Sequence, residues 1–120
     1  MEKISISNNS DELLIGQNHQ FQTINFCDIS DIVYDAPYSV VYTAKKHHLL
    51  FSSLSKLTQH LPEYFVQCNR SVVINSKQVK SFDKKTGIVL LKSNRSYFVS
   101  IRRRNTLEAV LSEILRSTHQ

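Results

Sequence analysis

Two short segments concentrate the side chains best suited to hold a polyanion, Asn69-Arg70-Ser71 and Arg102-Arg103-Arg104. In each case an apolar run stops abruptly: Phe65-Val66-Gln67-Cys68 before the first, Val99-Ser100-Ile101 before the second. Polar and basic residues at strand ends sit on loops held by a rigid scaffold, a common place for binding groups. A guanidinium at Arg70 or Arg102 can fork two donors to guanine O6 and N7, or to a phosphate. The Asn69 amide can offer a paired donor and acceptor to adenine. Ser71 and a helix N-terminus near Ser100 can meet phosphates. Three cations in a first helical turn oppose the helix dipole at roughly a few tenths of a kcal/mol each, and an incoming phosphate reverses that cost. The plainer reading of the arginine run is a solvated first turn.

The charge distribution favours the binding reading. The net charge is +5 over 120 residues. Residues 1–69 hold four Lys/Arg against seven Asp/Glu, whereas residues 70–104 hold ten Lys/Arg against the single acid Asp83. A basic excess confined to one continuous third of the chain is the electrostatic footprint expected for nucleic acid. At 41% hydrophobic and 21% charged residues, the chain has enough apolar material for one modest core. It reads as a single domain over residues 1–120, with its core at roughly 3–115.

Other chemistries lack their residues. The histidines, His19, His47, His48, His60 and His119, show no metal-ligand spacing, and no Cys-x-x-Cys occurs. There is no Gly-rich phosphate loop, and nothing nominates a Ser, His and Asp to act together. The expectation is therefore no enzyme, no metal, no cofactor and no small-molecule substrate. The N-terminus lacks the basic-then-apolar layout of a signal peptide, and no run reaches the length of a membrane span. A cytoplasmic protein without a membrane partner follows, and Cys27 and Cys68 read as ordinary buried thiols.

The elements that must position the basic segments are mostly strands. Ile4 and Ile6 alternate with polar residues, Leu13-Leu14-Ile15 ends at Gly16, and Phe21, Ile24 and Phe26 come next. Ile29–Tyr34, Tyr38–Thr43 and His47–Phe51 are strand-length runs rich in Tyr, Val, Ile and Phe, with a loop at Pro37 and a turn at Ala44-Lys45-Lys46. Ser53 to Leu61 reads as a short helix, with Ser53 as N-cap and Pro62 as its stop. Strands return at Tyr64–Cys68, Val72–Ile74, Val79–Phe82, Ile88–Leu91 and Tyr97–Val99. Asp83-Lys84-Lys85-Thr86-Gly87 is a hairpin loop with Gly where positive φ is needed. Leu107, Val110, Leu111, Ile114 and Leu115 form the apolar stripe of a terminal helix that should pack on the sheet, starting at Ser100 or at the capping-box pair Asn105 and Glu108.

Taken together these segments resemble the LytTR domain, the DNA-binding output domain of many bacterial response regulators. Phe65, Arg70, Ser71, Val73 and Asn75 fall in step with the family's core segment. Val79 and Phe82, a short hairpin, then Val99-Ser100 and a basic residue are similar to the family's downstream pattern. Upstream, Asp28-Ile29-Ser30-Asp31-Ile32-Val33-Tyr34 is similar to the family's entry into a strand, and Ser53-Leu54-Ser55-Lys56-Leu57 to its short helix. Asn69 replaces the family's usual histidine and Val72 its usual aromatic residue. The resemblance implies a mainly β, elongated domain of three small sheets, with one short internal helix and a C-terminal helix, that lays loops into successive major grooves. It further implies base contacts at Tyr38-Ser39, Asn69-Arg70 and Arg102, and phosphate contacts at Ser71, Arg103, Arg104 and Asn105. The function expected is sequence-specific binding of double-stranded DNA for transcription regulation, with two copies on a direct-repeat site. The alternative is a protein-interaction module that binds a regulator through the β scaffold or the terminal helix. A single-strand binder would need more exposed aromatics than Phe82, Tyr97 and Phe98.

Overall fold

The computed structural model describes residues 4–118. Residue 3, where the expected core begins, and His119 lie outside them. The chain divides between Pro62 and Glu63 into two compact units. Its strands fall in three sheets.

The first unit opens with an antiparallel meander of β1 (Ile4–Asn8), β2 (Glu12–Gln17) and β3 (Gln20–Asn25). Leu13, Ile15 and Ile24 are buried while Leu14 and Phe21 face outward, the period-two alternation of a half-buried sheet. Asn18 and His19 join β2 to β3 with φ of 54° and 62°. Positive φ at both central positions gives a twist that suits a two-residue hairpin. Phe26, expected to continue a strand, instead opens a 3-10 turn, Phe26–Asp28. Its N–H donates to the Asp11 carbonyl at 2.9 Å and its ring is buried, so a turn satisfies both backbone and burial. Cys27, in the same turn, is exposed, contrary to the expectation for it, whereas Cys68 is buried.

Next come β4 (Ile29–Asp35), β5 (Tyr38–Thr43) and β6 (His47–Leu50), antiparallel in sequence order. Ile29, Ile32, Val41 and Leu50 are fully buried. The adjacent His47 and His48 alternate between an exposed and a half-buried position. Burial lowers the pKa of the His48 imidazole, and the positive charges of Lys46 and His47 lower it further.

Helix α1 spans Leu54–Thr58 and ends earlier than the expected Leu61. Its last carbonyls are taken up locally: the His60 N–H donates to the Leu57 carbonyl and the Leu61 N–H to that of Thr58. Leu54 and Leu57 anchor the helix to the core, and the Ser53 hydroxyl accepts from the Lys56 N–H at 3.3 Å. An element this short has little intrinsic stability. Ser53→Ala should therefore cost about 1 kcal/mol, read as a lower urea midpoint with unchanged m-value.

The second unit holds β7 (Phe65–Asn69) and β8 (Val72–Asn75) as a hairpin, then the meander β9 (Val79–Asp83), β10 (Ile88–Leu91) and β11 (Ser96–Phe98). Between β8 and β9 the Asn75 side chain accepts from the Lys77 N–H at 3.0 Å and shapes a 3-10 turn, Ser76–Gln78. All of β8 is buried, and Phe65, Val66, Cys68, Val89, Leu91, Val99 and Leu107 complete the core with it. A third 3-10 turn, Ile101–Arg103, leads straight into α2 (Arg104–Thr118). The start after Ser100 thus prevails over Asn105, although the Ser100 side chain makes no capping hydrogen bond. Of the apolar stripe on α2, Leu107 is fully buried, Val110, Leu111 and Ile114 are half-buried and Leu115 is exposed. The stripe is only partly covered.

Candidate nucleic-acid interface

The β7–β8 hairpin turns through Arg70 and Ser71, because Asn69 pairs with Val72. Asn69 builds that turn. Its Oδ1 accepts from the Ser71 N–H at 2.9 Å, and its Nδ2 donates to the Phe98 carbonyl at 2.8 Å. The Gln67 amide donates to the Asn69 carbonyl at 3.0 Å. Asn and Asp side chains commonly stabilise turns in this way. Arg70 is left exposed at the tip, with no side-chain partner among the described residues.

The second basic segment begins where β11 ends. The Val99 N–H donates to the Gly87 carbonyl at 2.7 Å, and the Ser100 N–H to the Cys68 carbonyl at 2.9 Å. The first bond ties the exit of β11 to the β9–β10 loop and the second ties it to the end of β7, so the Arg70 turn and the Ile101–Arg103 turn adjoin. The Arg103 N–H closes the latter on the Ser100 carbonyl at 2.9 Å. Arg102 is exposed and, like Arg70, has no side-chain partner among the described residues; Arg103 is half-buried and Asn105 exposed.

Arg104 behaves differently from its neighbours. Its Nε donates to the Val99 carbonyl at 3.0 Å, and one terminal nitrogen donates to the carbonyls of Lys84 and Lys85 at 3.4 and 3.2 Å. The guanidinium lies over the Phe98 ring, 5.2 Å from its centroid. Gly87 leaves the space it occupies: φ there is 80°, and a Cβ would stand 2.6 Å from Arg104 Cζ. Arg104, expected to meet a phosphate, thus also acts as a bolt that holds the β9–β10 loop against the start of α2. Beside it, Lys84 pairs with Glu108 at 3.0 Å.

Tyr38 and Ser39 belong to the first unit. Tyr38 is half-buried, with its ring edge-on to Phe51 at 5.8 Å. Ser39 is fully buried and its hydroxyl donates to the Ser52 carbonyl at 2.7 Å. A base contact by Ser39 is corrected to a packing role, since the hydroxyl has neither surface nor a free proton. The bonds from Asn69 to the Phe98 carbonyl and from Arg104 to the Lys84 and Lys85 carbonyls have no signal in residue spacing, because their partners are distant in the chain. Ile101 receives no role from the sequence, yet it is 78% exposed.

A family model described as the LytTr DNA-binding domain matches residues 19–112, a span that takes in every position from Tyr38 to Asn105. The chain belongs to the LytTR family. The fold agrees. The LytTr DNA-binding domain of a Bacillus cereus protein, described as a putative methyl-accepting/DNA response regulator, superposes with a TM-score of 0.71 at 15% identity. The match covers 86% of this chain and 98% of that one. No curated protein matches the chain. A mainly β LytTR domain with three sheets and a C-terminal helix is thus established, and with it DNA binding for transcription regulation as the family's role. No helix of this LytTR domain, among the described residues, is long and apolar enough to cross a membrane.

Proposed function

We propose that this LytTR domain reads double-stranded DNA sequence-specifically from the major groove, with Arg70 and Arg102 as its base-reading groups. The observation that carries the reading is the pair of exposed arginines, without side-chain partners among the described residues, on two adjoining turns, the first held by the Asn69 side chain and the second by backbone hydrogen bonds. A planar fork on a rigid turn suits guanine O6 and N7. Asn69 acts first by shaping the turn; its second N–H and second lone pair remain for a base or phosphate. Ser71, Arg103 and Asn105 flank the two arginines and meet phosphates, which set register rather than sequence. Tyr38 marks a third contact, at the start of β5. On this reading two copies bind a direct-repeat site, and the protein acts beside the chromosome in a bacterial cytoplasm.

Selection from a random duplex pool tests the proposal, together with affinity measurements across salt. A single motif should emerge, and log K should fall against log salt with a slope of about −0.9 per phosphate contacted. Equal affinity for selected and scrambled duplexes would sink the sequence-specific reading.

A second reading, docking of a regulator on α2, has one observation in its favour. A groove of about 490 Å³, lined among others by Tyr64, Lys77, Val110 and Ile114, runs along the half-covered stripe. Retained DNA specificity after Ile114→Glu and Leu115→Glu would separate that surface from DNA binding.

A further inference from the structure

We infer that Ile101 is a specificity-determining residue that packs on the C5 methyl group of a thymine beside the base taken by Arg102. The inference rests on the DNA-reading proposal above and extends it to an apolar contact. Scattered apolar residues on a surface need no explanation. Ile101 differs in where it stands. It is 78% exposed within one turn of Arg102 and Arg103, and its backbone alone serves the fold, through the bond from the Arg104 N–H to its carbonyl. A polar side chain would hold that turn equally well. Phe21 is just as exposed, but it lies across Gly16 of its own sheet.

The flanking cations select the partner. An apolar protein surface pressed on Ile101 would desolvate the adjoining guanidiniums without pairing them. DNA supplies phosphates and base acceptors to the arginines and, in the major groove, one apolar group: the thymine methyl. Side chains of a 3-10 turn leave the axis three to a turn, so those of Ile101 and Arg102 diverge by about 120°. The methyl group therefore lies on an adjoining base pair, not on the one Arg102 contacts. The bond from the Ser100 N–H to the Cys68 carbonyl fixes the turn that carries both, so the apolar reader is as well placed as the charged one.

Replacing each thymine of the selected duplex in turn by uracil removes only the C5 methyl. The full chain should lose about four-fold in affinity at one position, the worth of one buried carbon. With Ile101→Ala the same uracil substitution should change nothing, and Ile101→Val should retain most of the loss. Circular dichroism should show both variants folded, since the side chain packs on little. If no uracil position distinguishes the wild type from Ile101→Ala while Arg102→Ala still relaxes a base, Ile101 reads no methyl and the DNA proposal stands. If no duplex is bound specifically at all, both fall.

Discussion

Arg102→Ala should leave the fold unchanged and remove about 1–3 kcal/mol of discrimination at one base position. The side chain is exposed and bonds to nothing in the protein among the described residues, so its loss creates no cavity and orphans no partner. On the proposed reading the variant gives up a bidentate pair to one guanine edge, formed only when DNA is present. Affinities for the selected duplex and for its single-base variants should converge at that position and stay separated elsewhere. Arg102→Lys should rescue little, because a point cation cannot form the planar fork. Arg103→Ala provides the contrast. Without its proposed hold on a phosphate, that variant should bind all duplexes more weakly by the same factor, with a salt slope lower by about one unit. Uniform weakening from Arg102→Ala, with the base preference intact, would move Arg102 to the phosphate class.

The second large effect is expected away from the exposed arginines. Gly87→Ala should destabilise the domain by about 1–2 kcal/mol from the left-handed backbone alone, since φ is 80°. The new Cβ would also meet the guanidinium of Arg104, standing 2.7 Å from Nε. A flexible side chain usually swings aside. This one is held by the carbonyls of Val99, Lys84 and Lys85, and moving it breaks charge-assisted bonds of about the same total worth. Urea denaturation of Gly87→Ala, Arg104→Ala and the double variant separates the two parts. The steric part should vanish once Arg104 is gone, so the double variant should cost less than the two single variants added together. A wild-type midpoint for Gly87→Ala would show that the bolt does not hold. Specific DNA binding should weaken with Gly87→Ala as well, because Val99, bonded to Gly87, leads directly into the Arg102 turn.

Much of the architecture is legible in local pattern. Tyr38–Thr43 and Ile88–Leu91 can be read residue for residue, since β-branched and aromatic residues in strand-length runs suit a pleated, half-buried surface. Gly87 is legible as a positive-φ turn residue, and Ser53 as an N-cap. The order of such pieces along the chain suffices to point to the LytTR family. Phe26 is not legible, because a 3-10 turn buries a ring as well as a strand does. The burial of Ser39 is not legible either: small and polar, it gives no local sign of the Ser52 carbonyl that receives its hydroxyl.

The sequence by itself determined the strand content, the two helices and the concentration of positive charge in residues 70–104, because periodicity, capping and charge are properties of neighbours along the chain. Only the tertiary structure decided which members of that basic run are available. Arg102 and Arg104 are the same residue two positions apart. One points to solvent, while the other meets three carbonyls and an aromatic face brought by β11 and the β9–β10 loop. A guanidinium has five N–H donors, and how many of them the protein's own carbonyls take up is decided by which loops and strand ends the fold brings to it.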